Sequence, residues 1–208
     1  MFHFYQQNPN FETMSLKGQK TKSDFVEWNA ITSLVLKLER DGDYKFALVI
    51  ACGIYTGLRI SDILSLSWSD VLEKDQIDIV EKKTKKSRRI TLNSELKQIL
   101  NRCYQNLNSP DPTQLIFLNR FGKQVITVQY VNRRLKEIME QYKVARNGSA
   151  VSSHSLRKSF GRRVFERNQN SERSLILLSE ILNHSSIGTT KIYLGIREEE
   201  IGEVYENL

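Results

Sequence analysis

Cysteine, histidine and long apolar runs are all scarce in this chain, and each scarcity removes a class of protein. Two cysteines in 208 residues, Cys52 and Cys103, cannot build a disulfide framework. Both read as reduced thiols of a cytoplasmic protein, Cys52 packing as a small hydrophobe within the apolar run Phe46 to Tyr55. No apolar run approaches the ~18 residues of a membrane span. The opening MFHFYQQNPN lacks the basic-then-apolar order of a signal peptide. There is no internal repeat, no low-complexity segment, and no compact carboxylate cluster of the kind two-metal nucleases use. Positive charge is in excess: 31 Lys and Arg against 24 Asp and Glu leave a net +7, with an isoelectric point near 9.4. That balance suits a polyanionic partner, nucleic acid being the commonest.

Residues 1–22 are polar and aperiodic and read as a linker or arm, with 23–208 as the folded domain. From Ser23 the spacing of Phe25, Trp28, Ile31, Val35 and Leu38 predicts a helix. Asp41-Gly42-Asp43 interrupts it. A more evenly apolar helix, predicted to be buried, runs from Asp43 to about Thr56 and ends at Gly57. A short third helix follows from Ser61. Gln76–Val80 and Arg88–Leu92 are β-type runs around a basic stretch and predict a hairpin. Leu115–Leu118 is expected to add a third short strand. Asn93 or Ser94 caps one later helix. Thr127 caps another, with Val128, Val131, Leu135, Ile138 and Tyr142 on one face. Further helices are expected at about 153–168, 174–183 and 187–193, and an acidic last helix from Glu198 to Glu206. The fold class is mainly α with a small antiparallel β-sheet (α+β).

Several residues could carry chemistry, and each alone has a plainer structural reading. His154 and Arg157, in SSHSLRKSF, share a helix face through their spacing of three and could grip one phosphate. They could equally sit at an ordinary helix start capped by Ser152 or Ser153. Arg59, in TGLRISDIL, follows a buried helix and a glycine break, a stiff mount for a bidentate phosphate contact. A salt bridge to a neighbour such as Asp62 is the alternative. KKTKKSRR, Lys82 to Arg89, places six basic residues in eight at the hairpin tip. This is either a solvated turn or a probe that tracks DNA phosphates through Lys82, Lys85, Lys86, Arg88 and Arg89. His184 and Tyr193, nine residues apart in LNHSSIGTTKIYLGI, complete the set; in isolation Tyr193 reads as a core aromatic.

The order of these elements resembles the tyrosine recombinases, or phage integrases. TGLRISDILSLSWSDV resembles that family's first arginine box, HSLRKSF its second, and LNHSSIGTTKIY its box ending in tyrosine, over about Ser23 to Tyr205. The resemblance implies the recombinase catalytic-domain fold and strand cleavage through a covalent 3′-phosphotyrosyl link, without metal, ATP or any cofactor. By that likeness Arg59 and Arg157 clamp the scissile phosphate, and Lys83 protonates the leaving 5′ oxygen. Lys83 lies nine residues before Leu92, as in the family, with Lys82, Lys85 and Lys86 as competitors for the role. His154 transfers protons, His184 supports the phosphate, and Tyr193 is the nucleophile. Asn183 replaces a common glycine, and Lys158 stands where a second histidine often follows the arginine. The chemistry is self-consistent. A phenol with a pKa near ~10 needs a cationic surrounding or a base to attack at neutral pH, and fixed guanidiniums oppose the charge built on phosphate in the transition state.

Double-stranded DNA is the implied partner, with a tetramer of protomers forming on it from monomers. A type IB topoisomerase-like relaxation of supercoils, and a catalytically degenerate DNA-binding regulator, are the competing functions. Family members usually carry a separate helical DNA-binding domain ahead of the catalytic one. The expectation is therefore that this chain is either an excised catalytic domain or a short recombinase.

Overall fold

The computed structural model of the chain describes residues 23–144 and 150–208. The expected linker or arm at 1–22 lies outside the described residues. The expected fold class is present, with helices dominating around one small antiparallel sheet.

The fold is organised around α2 (Tyr44–Thr56), whose residues Phe46 to Ile54 are all buried. Asp43 caps it by accepting from the Phe46 N–H at 3.3 Å. Gly57 ends it at φ 61, a conformation that glycine adopts without a Cβ penalty. Three helices pack on α2: α1 (Trp28–Arg40), α5 (Ser94–Asn106) and α7 (Ser153–Arg167). The contact with α7 is close because Gly53 has no side chain. A Cβ there would come within 2.7 Å of Leu156 Cβ. This approach brings the start of α7, with His154 and Arg157, to the C-terminal end of α2, two residues past whose Gly57 cap Arg59 begins the next helix.

Beyond α2 come two short helices, α3 (Ile60–Ile63) and α4 (Trp68–Val71), then the hairpin of β1 (Gln76–Val80) and β2 (Ser87–Thr91). The strands pair antiparallel with Gln76 opposite Thr91 and Val80 opposite Ser87, which leaves residues 81–86 as the turn. α5 is capped by Asn93 and α6 (Val128–Gln141) by Thr127. The chain closes with α8 (Glu172–Ile181), α9 (Ile187–Leu194) and α10 (Ile196–Glu206).

Two expectations are corrected. The first helix starts at Trp28, not Ser23. The segment before it is instead tied down by its backbone, Asp24 N–H donating to the Ala150 carbonyl and Val26 N–H to Ser159 Oγ, both at 2.9 Å. Leu115–Leu118 is not a third strand of the hairpin's sheet. Its backbone finds partners in loops on either side, Ile116 N–H bonding to Leu66 and Ile126 N–H bonding back to Phe117, so only isolated bridges form. Ile116 and Phe117 are buried without sheet pairing.

The buried apolar residues fall into two groups. The larger runs from α1 through α2, α5 and α6 to Leu156 of α7. The smaller holds Phe165, Leu175, Leu178, Leu182, Leu194 and Ile196, from the end of α7 onward.

Candidate active site

Arg59 occupies the N-cap position of α3 in an extended conformation. Its Nη1 donates to Glu81 Oε2 at 2.6 Å. Glu81 immediately follows β1 and is 1% exposed. It also accepts from Thr84 Oγ1 at 2.7 Å and lies 3.6 Å from Nη1 of Arg88, which itself donates to the Thr56 carbonyl. Burial works to raise the pKa of Glu81, but the hydrogen bonds from Thr84 and Arg59 outweigh it and hold the carboxyl at about 2. A buried anion thus sits between two arginines at the base of the hairpin.

Arg157 projects from α7 and is 4% exposed. Its guanidinium donates through Nη1 to the Gly57 carbonyl and through Nη2 to the Leu182 carbonyl. Both acceptors are orphan carbonyls at helix ends, so one side chain ties α7 to the ends of α2 and α8. Burial lowers its pKa to about 10, partly offset by the nearby Tyr193.

His184 follows α8, its ring Nδ1 3.0 Å from Thr190 Oγ1 on α9. Burial, then the positive charges of Arg157 and Arg59, push its pKa to about 4, so the ring is neutral at neutral pH. Tyr193, near the end of α9, meets His184 edge-on with ring centroids 5.0 Å apart. Its hydroxyl donates to the His154 carbonyl at 3.4 Å. Burial raises the phenol to about 12, with Arg157 and Arg59 pulling the other way. The Lys158 ammonium lies 5.4 Å from the centre of the Tyr193 ring. His154 has a lowered pKa, from desolvation first and then from the charges of Arg157, Lys83, Lys158 and Arg59.

Arg59, His154, Arg157, His184 and Tyr193 therefore converge from four parts of the chain, with Lys83 close enough for its charge to act on His154. Lys82, Lys83, Lys85 and Lys86 are all exposed on the hairpin turn. Lys82 is fixed through its backbone, its N–H donating to Asp62 Oδ1 at 2.9 Å. Asp62 thus holds the hairpin rather than Arg59. Lys86 Nζ donates to Asn183 Oδ1 at 3.0 Å. The two arginines at the end of the basic run part company. Arg89 is exposed and paired with Asp78 at 2.7 Å, whereas Arg88 turns inward toward Glu81. Among the described residues no group of three His, Cys, Asp or Glu side chains is placed to hold a metal ion.

Sequence reasoning passed over Glu81 and gave Asn183 no role. The available signal for Glu81 was a lone acid between an apolar strand and a run of bases. For Asn183 it was a residue in a glycine's place. Chemically, the cluster offers two guanidiniums, two neutral imidazoles and a phenol around one point, a setting for an anionic group open to attack by the phenol oxygen.

Known proteins resemble this chain. A profile of the phage integrase family matches residues 26–200. The probable integrase/recombinase YoeC of Bacillus subtilis is 33% identical over 160 residues, covering 74% of this chain and 79% of its own length. Tyrosine recombinase XerC of Pediococcus pentosaceus is 27% identical over 210 residues, 95% of this chain and 66% of that protein. Among solved structures, the XerH site-specific recombinase bound to its palindromic difH substrate in a post-cleavage complex superposes with a TM-score of 0.64 at 22% identity, over 97% of this chain and 60% of that one. A lambda integrase dimer bound to a COC′ core site gives 0.62 at 17% identity, over 84% of this chain and 49% of that one. The structural likenesses show a shared fold, and the chain spans 49–79% of the lengths of these four proteins. The profile covers most of the chain and one relative exceeds 30% identity over three quarters of it, so this protein belongs to the phage integrase family.

Proposed function

We propose that the chain cuts and rejoins double-stranded DNA at specific sites through a covalent bond between Tyr193 and a 3′ phosphate. The observation that carries this reading is the placement of the Tyr193 phenol against His184, in the field of Arg157 and Arg59. Tyr193 Oη attacks the scissile phosphorus and the bond to the 5′ oxygen breaks. The phenolic proton passes to His154, and Lys83 protonates the departing 5′ oxygen. Arg59 and Arg157 take up the charge that grows on the non-bridging oxygens. When Thr190 donates to Nδ1 of His184, the ring proton lies on Nε2 and can join them. Resealing reverses the step: a 5′ hydroxyl attacks the phosphotyrosyl phosphorus and Tyr193 leaves. The ester link is conserved throughout, so no ATP is consumed.

In the free protein Arg59 is held by Glu81, which is how a phosphate-binding arginine stays ordered without its ligand. The exposed turn lysines at 82, 85 and 86 supply phosphate contacts beside the site, Arg89 competes between Asp78 and DNA, and Arg88 supports Arg59 from inside. Assembly is a tetramer on two duplexes with head-to-tail contacts. The exposed Ile201, Val204, Tyr205 and Leu208 at the end of the chain are the apolar surface offered to a neighbouring protomer. Among the described residues no helix is long and apolar enough to cross a membrane, and we place the protein with its DNA in the cytoplasm. The relatives named above are integrases and recombinases, which favours site-specific exchange over relaxation of supercoils.

The test is a suicide duplex that traps the cleaved state. A protein–DNA adduct that survives denaturation, forms in excess chelator and requires a specific sequence supports the reading. Metal-dependent cleavage with no adduct overturns it.

A further inference from the structure

We propose that Asn183 is a positioning residue for Lys83, gripping the hairpin turn so that the lysine is held at the leaving oxygen. The inference rests on the reading of Lys83 given above. Asn183 follows α8 with φ 51, a left-handed conformation that disfavours any side chain, asparagine less than most. A glycine would adopt it freely. What asparagine adds is a carboxamide aimed at the hairpin. Its Nδ2 donates to Glu81 Oε2 at 3.4 Å, and its Oδ1 accepts from Lys86 Nζ at 3.0 Å.

Those two partners are the ends of the turn that carries Lys83. They are also joined through their backbones, Glu81 N–H to the Lys86 carbonyl at 3.0 Å and Lys85 N–H to the Glu81 carbonyl at 2.8 Å. Asn183 therefore takes hold of the neck of the turn. Asp62 holds the same turn from the α3 side through the Lys82 N–H. A cleft of about 370 Å³, lined by Glu81, Lys86, Arg88, Asn183 and His184, lies between the hairpin and the end of α8. The Asn183 side chain crosses from one wall to the other. A carboxamide suits this place because it gives a donor to the carboxylate and an acceptor to the ammonium. Aspartate would set a second carboxylate against Glu81, and glycine would make neither bond. Because His184 is the next residue, the same contact sets the hairpin in register with the ring that faces Tyr193.

The test is cleavage by Asn183→Gly and Asn183→Asp on two duplexes, one ordinary and one with sulfur replacing the bridging 5′ oxygen. A thiolate leaves without needing a proton, so the sulfur substrate removes the demand on Lys83. Asn183→Gly is expected to melt no lower than the parent and to bind DNA equally well. It should cleave the ordinary duplex at least ~10-fold more slowly, a part of the ~100- to 10,000-fold that general acids contribute, and cleave the sulfur duplex at the parent rate. Asn183→Asp should show the same rescue. Lys83→Ala is run beside them. If Lys83→Ala is not rescued by sulfur, the lysine assignment falls and this inference with it. If Lys83→Ala is rescued while Asn183→Gly is slow on both duplexes, or slow on neither, the positioning role of Asn183 is overturned and the lysine assignment stands.

Discussion

The hydroxyl of Tyr193 donates to the main-chain carbonyl of His154, 39 residues earlier in the chain, at 3.4 Å. The phenol is thus parked on the first turn of α7 with its proton in place, and burial keeps its pKa at about 12. A neutral, engaged tyrosine does not attack water-borne esters at random. Attack requires a phosphate to enter beside Arg59 and Arg157 and the phenol to leave the carbonyl. Tyr193→Phe removes the nucleophile and the polar contacts of its hydroxyl while keeping the ring packed on His184. The variant is expected to bind DNA as the parent does and to form no adduct on a trapping duplex. Persistence of the adduct would assign the nucleophile elsewhere.

Arg157→Lys tests whether the second arginine is more than a charge. Its two guanidinium nitrogens serve two backbone carbonyls on different helices, and one ammonium cannot reproduce that fork. Leaving a buried carbonyl unpaired costs ~1–3 kcal/mol, and removing a fixed donor at a developing negative charge costs ~100-fold or more in rate. Denaturant titration and single-turnover cleavage should both register the change. Loss of rate with unchanged stability would show that the two carbonyl bonds contribute little.

Acid should weaken the fold in two stages. His184 has its pKa held near 4 against an ordinary 6.5. Between those values the unfolded chain binds the proton and the folded chain does not, so stability falls as pH drops through the window. His154 is shifted in the same direction. Glu81, depressed to about 2 from 4.5, adds a further loss below pH 4.5 for the same reason. Urea midpoints measured between pH 6.5 and pH 4.5 should decline with falling pH, and His184→Asn should flatten the slope. An equal slope in that variant would place the titrating group elsewhere.

Gly161 is where α7 admits the helix that carries the nucleophile. A Cβ there would meet Leu194 Cδ2 at 2.5 Å, and Leu194 is the residue after Tyr193. Alanine in place of a mid-helix glycine gains up to ~1 kcal/mol of helix propensity, while the overpacking costs ~1–3 kcal/mol. The net is a loss of up to ~2 kcal/mol, and only the overpacking moves Tyr193. Gly161→Ala is expected to melt no higher than the parent and to cleave more slowly, with DNA binding retained. A parent-like cleavage rate would mean that Leu194 absorbs the methyl group by rotation alone.

The elements most visible in the sequence were those set by local rules. Helix α2 announces itself by an apolar run, Asp43 in front and Gly57 behind, and the hairpin by alternation on both sides of a basic stretch. The start of α1 was harder, because Phe25 falls in helical register yet packs under the Arg162 guanidinium, 4.8 Å from its ring centre, from an irregular segment. Leu115–Leu118 has strand composition but takes its hydrogen bonds from two loops, and no local pattern encodes that choice. The catalytic candidates were legible through their joint order. Glu81 and the inward turn of Arg88 were not, since which bases of a run face a buried acid depends on the hairpin's register against α3 and α8.

Finally, the two sides of the site rest on apolar clusters of different size. Leu58 and Ile60 beside Arg59, and Leu156 beside Arg157, belong to or pack against the large cluster, whereas Tyr193 packs on the six-residue cluster built from the end of α7 and the helices that follow. The free energy needed to open a region scales with the apolar surface it buries. The nucleophile's side of the site should therefore open at a lower free-energy cost than the phosphate-gripping side. Amide hydrogens of α8 and α9 should accordingly exchange well before those of α2.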